Sequence, residues 1–407
     1  MNDNEIRTQP RRVLGAERVG RLPSGGLAAL LHTDGIADLV NLAVGTPGFP
    51  APAAALTDAA GAALRSGAHQ YADPAGLLGL RTRIAAGLPG APDPETELTV
   101  TVGGSEGLAV ALLSSVDPGD EVVVLEPFYE NFLSAIALSG GIPRFVRLRG
   151  PHWLPDPGEL AAAFGPRTRA IILNSPGNPT GTVLPRAQLE HVATLCEKWD
   201  VTVVSDEVYA PFVYDNEPHC SVASVEGLAE RSIVIGSLSK SHAVSGWRLG
   251  FLRARPPWTR LLRTVHVATT VCASTPLQHA AASVELFGPW LHEVVGEMRA
   301  RRNQAIALLR EAGFRCAAPH GGCYILADTH AVSTSASPAF TQTLAARCGV
   351  LIAPATAFYA QPADGNGHVR VAFNRSEATL ATARARLAAF SSGAGHGHRS
   401  IDEAKAG

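Results

Sequence analysis

Short apolar runs alternate along this chain with stretches in which apolar residues recur at helical spacing. The runs Leu98–Val102, Glu121–Leu125, Pro143–Arg147, Ala170–Leu173, Val201–Val204 and Ile233–Ile235 are rich in valine and isoleucine and predict buried strands. Between them the spacing predicts helices over Glu106–Leu113, Asn131–Leu138, Gly158–Ala163 and Arg186–Glu197. Strands this short, separated by helices, predict an α/β fold: a mostly parallel sheet with helices on both faces. Upstream, helices are expected over Ala53–Leu64 and Leu80–Ala86, flanking a glycine-punctuated loop Tyr71–Gly79. A helix over Leu22–Leu31 would be weakened by Gly25 and Gly26, and Asn41–Pro50, NLAVGTPGFP, must turn sharply. Downstream, Pro276 to Leu309 reads as helical with a break at Phe287–Pro289. GGCYILAD, a helix Phe340–Arg347, GVLIAP, VRVAFN and a helix Ser376–Ala389 then suit a smaller α+β domain. The expected division is an N-terminal arm with part of the small domain (1–50), a large ligand-binding domain (51–285), an interdomain helix with the small domain (286–390), and a flexible tail (391–407).

Composition narrows the functional classes. The 407 residues are 46% hydrophobic and 17% charged with a net charge of -2, which points to no nucleic-acid surface and no polybasic membrane anchor. The 6 cysteines are scattered without a CxxC pair, so neither a disulfide nor a metal site is expected. The polar start, MNDNEIRTQPRR, has no apolar signal core, and no later run is long enough to span a membrane; the expected location is cytoplasmic.

The chemistry concentrates around RSIVIGSLSKSHAVSGWRLGF, residues 231–251. A strand ending in Ser237, Ser239 and Lys240 places an amine and two hydroxyls at the carboxyl edge of the sheet, where open α/β folds build their sites. Arg248 reaches the same region if the chain doubles back through Gly246. An amine able to attack a carbonyl, beside hydroxyls and an arginine suited to a phosphate, fits an aldehyde cofactor carrying a phosphate, and pyridoxal 5'-phosphate meets that description. Other strand ends add to the set. Gly103 to Gly107, with Gly104, Ser105 and Glu106, lie between a strand and a helix, where backbone N–H groups cradle a phosphate. Asp206 follows an apolar strand and is costly there unless paired; a pyridinium nitrogen is one partner. Asn178 and Tyr209 are placed to bond a phenolic oxygen, and Tyr129 to stack on a ring. Taken singly each of these residues suits a cap, a turn or a core; together they fall on one predicted edge.

The stretches NLAVGTPGFP, YADPAGLLGLR, GGSEG, EPFYENF, NSPGNPTG, SDEVY, SLSKSHAVSGWRLGF, GGCY and VRVAFN, spanning Asn41 to Asn374, resemble a fold-type I pyridoxal-phosphate enzyme of the class I/II aminotransferase family. The resemblance implies an aspartate aminotransferase-like fold, with a seven-stranded, mostly parallel sheet in the large domain. It implies that Lys240 forms an aldimine with the cofactor, that Asp206 binds the ring nitrogen, and that Asn178 and Tyr209 bind the phenolic oxygen. Ser105, the Glu106 backbone, Ser237, Ser239 and Arg248 would surround the phosphate, with Tyr129 on the ring. Tyr71 would reach the phosphate of a neighbouring subunit, implying a homodimer with composite sites. Arg370 would clamp the substrate carboxylate, assisted by Gly45 and Asn178.

The departures lie around the substrate: His242 stands where an aromatic is common, Gly26 where a branched residue is common, and Ala355 where glycine is usual. The expected reaction moves the amino group of an L-amino acid to a 2-oxo acid through the Lys240 aldimine and pyridoxamine phosphate. Elimination or replacement, decarboxylation or oxidation at the same cofactor is the alternative, and a non-catalytic regulatory protein a remote one. No second arginine is placed for a side-chain carboxylate, while Phe128, Tyr129 and Ser24–Gly26 suggest a permissive pocket. A neutral or aromatic donor is therefore expected, unless His242 recruits an unusual polar side chain.

Overall fold

The computed structural model describes residues 15–23, 38–48, 53–215 and 219–394. The expected helix over 22–31 lies, beyond residue 23, outside them.

The predicted strands assemble into one large mixed sheet. Its members are β2 (Leu98–Val102), β3 (Glu121–Glu126), β4 (Ile142–Arg149), the two-residue β5 (Leu154–Pro155), β6 (Thr168–Asn174), β7 (Thr202–Asp206), β8 (Ser232–Ser237) and β9 (Leu249–Ala254), in the order β2-β9-β8-β7-β6-β3-β4-β5. Strands β4, β3, β6, β7 and β8 run parallel, whereas β9 is antiparallel to both its neighbours. The seven long strands match the expected number, with β5 a short addition at the edge. Because both faces are covered, β7 and β8 are buried along their whole length, and their middles, Val203–Val204 and Ile233–Ile235, are apolar without alternation.

One face packs on Leu108, Ala111 and Leu112 of helix Gly103–Ser115 and on Leu262 of helix Pro256–Thr269. The other packs on Leu189, Val192 and Cys196 of helix Arg186–Trp199, which ends where Asp200 adopts a left-handed conformation, φ 54°. Helix Pro157–Ala162 starts from Asp156, whose carboxylate accepts from the N–H groups of Gly158 and Glu159.

The smaller α+β domain carries the antiparallel sheet β10 (Tyr324–Asp328), β13 (His368–Ala372) and β12 (Ala353–Pro354), in the order β10-β13-β12. The N-terminal strand β1 (Val40–Asn41) pairs in parallel with β11 (Val350–Leu351). Its core joins Phe340, Leu344 and Phe373 to Met298 and Leu309 of the long helix Pro289–Glu311 and to Tyr209 and Phe212 beyond β7. That shared core sets β13 opposite the ends of β7 and β8. Two boundaries differ from expectation. Helix Gly103–Ser115 begins directly at the end of β2, so Gly103, Gly104 and Ser105 are its first turn and not a loop before it. Helix Glu377–Ala394 runs into the segment expected to be a flexible tail.

Candidate active site

β8 ends at Ser237, and Leu238–Ser241 make a single helical turn that places Lys240 in a cavity of about 290 Å³. Ser237 Oγ fixes this turn by accepting from the Ser239 N–H at 3.0 Å and donating to Leu249 O at 3.3 Å. Lys240 Nζ donates to Gly45 O at 3.2 Å, and burial holds its pKa below the usual lysine value. At the electropositive end of the cavity, Gly104 and Ser105 present the N-terminus of helix Gly103–Ser115. Arg248, left-handed at φ 53°, faces them; a Cβ on Gly103 would stand 2.3 Å from its Nη2, so only glycine admits the guanidinium there.

Asp206 closes β7, fully buried, with one oxygen accepting from the Val208 N–H at 3.2 Å. Burial pushes its carboxyl up to about 7, against the opposing pull of the Val208 bond and of Lys240. The polar loop after β6 is tied to it: Asn174 Nδ2 donates to Asp206 O at 2.9 Å, and the Asn178 N–H donates to Asn174 Oδ1 at 2.7 Å. The Tyr209 hydroxyl lies 3.4 Å from that of Tyr324, and Tyr129 lines the wall with its hydroxyl pushed up to about 12 by burial.

The small domain supplies the third side. Arg370, on β13, is buried between the rings of Tyr324 and Phe358, with its guanidinium carbon 4.3 and 4.5 Å from their centroids. It donates through Nη1 to Asn178 Oδ1 at 2.8 Å and through Nη2 to Ala43 O at 2.7 Å. Gly45 must be glycine, because a Cβ there would fall 1.5 Å from the Tyr324 hydroxyl.

Not every expected residue joins the cavity. Tyr71 is 82% exposed and lies outside it. The Glu106 side chain turns away: Oε2 accepts from the Val102 N–H at 2.9 Å and Oε1 pairs with His266 Nδ1 at 2.8 Å. Phe128 does not form a substrate wall; it is buried in the large-domain core and stacks on Phe145 at 5.6 Å. His242 recruits no substrate group, since it is buried between Phe287 and Trp290 with Nε2 donating to Leu286 O and Nδ1 accepting from Ser241 Oγ. Ser24–Gly26 lie outside the described residues. Conversely, Tyr324, Asn174 and Glu130 line the cavity without having been singled out. Tyr324 sits in the quoted GGCY stretch, but only the sheet pairing of β10 with β13 reveals that it faces Arg370.

Three residues lining this cavity carry a buried polar atom without a protein partner: Ser239 Oγ, Arg370 Nε and Glu130 Oε2. An unpaired hydroxyl beside a helix N-terminus and Arg248 suits a phosphate, and a buried acid opposite a buried amine suits a ring nitrogen and a carbonyl. The donor set thus fits pyridoxal phosphate, and sheet and site together define a fold-type I pyridoxal-phosphate enzyme. Residues 37–387 match the family model "Aminotransferase class I and II". The chain belongs to this family, is an aminotransferase, and uses pyridoxal phosphate. It is 32% identical over 375 residues to the methionine aminotransferase of Escherichia coli, covering 90% of this chain and 97% of that protein. It is 33% identical over 385 residues to human kynurenine–oxoglutarate transaminase 1, covering 84% and 90%. The solved N-succinyldiaminopimelate aminotransferase of Mycobacterium tuberculosis superposes with a TM-score of 0.87 at 32% identity, covering 92% of this chain and all (100%) of that one. Relatives of such different donors agree on the reaction and leave the substrate to the residues of the pocket.

Proposed function

We propose that this aminotransferase takes its amino group from a neutral L-amino acid of medium to large size, aromatic ones included, and passes it to a 2-oxo acid, with Lys240 as the group that moves the proton. The observation that carries the donor class is the charge around the cavity. Its two arginines stand at opposite ends, Arg248 with Gly104 and Ser105, and Arg370 with Asn178 and Ala43. Glu130 adds a carboxylate to the wall, one oxygen of it buried without a partner. Arg263 is spent on Thr99 Oγ1, Glu95 O and Leu98 O. A donor with a second carboxylate would meet Glu130, and among the described residues the cavity lining holds no arginine beyond Arg248 and Arg370 to receive it, a mismatch on the order of a few kcal/mol.

Bound pyridoxal phosphate supplies a carbonyl that carries the amino group and a ring that draws off the electron pair released at Cα. Arg370 orients the substrate α-carboxylate, with Asn178 and the Gly45 backbone beside it. Lys240 Nζ, desolvated and so more readily neutral, takes the proton from Cα as general base and then returns it as general acid. Asp206 holds a proton on the ring nitrogen, a cation that in turn favours the ionised carboxylate. Asn178 and Tyr209 would hold the ring's phenolic oxygen, Tyr129 would pack on the ring, and Ser105, the Glu106 N–H, Ser237, Ser239 and Arg248 would hold the phosphate. Tyr71 completes the phosphate site of a second copy, making the working unit a homodimer. Six free thiols suit a reducing, cytoplasmic location.

The test is a single-turnover screen of the loaded enzyme against the common L-amino acids, following cofactor absorbance and identifying the oxo acid by mass. Neutral donors should exceed aspartate and glutamate at least roughly tenfold, the effect of about 1.4 kcal/mol, and Glu130→Gln should narrow the gap. Dominant turnover of aspartate would overturn the donor class. Release of ammonia, carbon dioxide or peroxide in place of a stoichiometric oxo acid would overturn the proposed amino-transfer reaction.

A further inference from the structure

A second cavity, about 380 Å³ and larger than the one holding Lys240, lies behind the cofactor site. Val208 and Ser237 line both cavities, so the two share a wall at the ends of β7 and β8. Its floor is the sheet, where Phe251 lies across Gly236; a Cβ at Gly236 would stand 2.0 Å from that ring. Its roof is Phe287 with Leu291 and Val295 from the start of helix Pro289–Glu311.

Two polar groups on its wall are incompletely matched. Arg253, partly buried on β9, donates Nη1 to Pro89 O at 2.8 Å and has no carboxylate in ion-pair range among the described residues. Burial holds its pKa below the ordinary arginine value, against the weaker pull of the Glu97 and Glu207 carboxylates. The one carboxylate that lines the cavity among the described residues, Glu207, is taken: Oε1 accepts from Ser205 Oγ, Ser221 Oγ and the Val222 N–H, and Oε2 pairs with His219 Nε2 at 2.9 Å. That pairing leaves His219 Nδ1 buried and without a partner. An apolar space of this size with an unmatched cation and an unmatched ring nitrogen has the character of a small-molecule site.

The same wall is connected to the catalytic turn. Ser241 borders the second cavity and donates to His242 Nδ1 at 2.8 Å, and His242 Nε2 donates to Leu286 O at 3.0 Å. Lys240 precedes Ser241 in the chain, and Phe287 follows Leu286. A ligand that shifts the Phe287 wall therefore acts on the backbone that carries Lys240 through two hydrogen bonds.

We propose that this cavity binds a small carboxylate with an apolar body, the carboxylate on Arg253 and the apolar part against Phe251, Phe287 and Leu291, and that its occupancy changes turnover at Lys240. The probe is 3-phenylpropionate, which has neither an amino nor a 2-oxo group to react, titrated calorimetrically into the pyridoxal-phosphate-loaded enzyme. Two equivalents per chain should bind, one displaced by amino donor and one not. The second should change turnover at saturating donor at least twofold. Arg253→Gln, which removes the charge, and Leu291→Trp, which fills the space, should each weaken the second equivalent at least tenfold and abolish its effect, while keeping the first equivalent and the basal rate. Binding of one equivalent only overturns the site, as does a second equivalent unaffected by both substitutions. Equal affinity for 3-phenylpropylamine overturns the assignment to a carboxylate. A second equivalent that leaves turnover unchanged overturns the coupling.

Discussion

At the scale of single residues, Asp206 shows how a buried carboxyl of the cavity is held at the expense of the fold. Its carboxyl, raised to about 7 by burial, sits well above the unfolded value of 3.8. Between those values the native protein binds a proton that the unfolded chain releases, so Asp206 weakens the cofactor-free protein progressively as pH rises from about 4 to 7. Asp206→Asn should therefore stabilise the cofactor-free protein at pH 8 by on the order of a few kcal/mol, and the gain should fade towards pH 4. Urea denaturation across that range measures it. The same substitution should slow half-transamination by roughly a hundredfold or more, because an amide cannot stabilise a protonated ring nitrogen as a carboxylate does. A variant that is as fast as the parent would remove the electron-sink role.

At the scale of elements, the helix Gly103–Ser115 is anchored from two directions by one side chain. Glu106 reaches back to the Val102 N–H as in a capping box and sideways to His266, itself fully buried on helix Pro256–Thr269. Glu106→Gln should cost about 1–2 kcal/mol of stability. It should also weaken pyridoxal phosphate binding several-fold while leaving the single-turnover rate of the loaded enzyme nearly unchanged, as expected if the side chain positions the phosphate-binding turn and touches no substrate. Equilibrium dialysis against the cofactor, set beside the rate, separates the two. His242 does comparable work for the Lys240 turn and is a sensor of acid. Burial pushes its pKa down to about 4, below the ordinary 6.5, so its contribution to stability is complete above pH 6.5 and is lost as pH falls towards 4. In thermal melts His242→Gln should reduce this loss between pH 6.5 and 4.

At the scale of the whole molecule, the site exists because two sheets face each other. Lys240 comes from the end of β8, and Arg370 comes from β13 across the cleft, where Lys240 Nζ bonds Gly45 O and Arg370 bonds Ala43 O in the segment that follows β1. Tyr71, 82% exposed, belongs to neither wall. In a homodimer with composite sites, mixing Lys240→Ala with Tyr71→Phe should restore activity in hybrid dimers beyond the sum of the two parents, with up to about one intact site per hybrid. Absence of recovery, with subunit exchange demonstrated by mass, would count against a shared site.

The sheet, its helices and many of the residues that line the cavity were legible in the residues alone, because they depend on local order: apolar runs make strands, and polar residues at or after their ends land on the carboxyl edge. Lys240, Asp206, Asn178, Ser237 and Ser105 all follow that rule. The mixed strand order was less accessible, since β9 returns antiparallel between β8 and β2 through a left-handed Arg248 that no apolar pattern marks. Residues whose meaning depends on what lies opposite were decided by tertiary structure. Tyr324 joined the cavity wall beside Arg370 because β10 pairs with β13, and Phe128 became core because its ring meets Phe145. His242 became a strut because Leu286 supplies an acceptor 44 positions away. A side chain's backbone position follows from its neighbours in the chain, but its chemical partner follows from packing between elements distant in sequence.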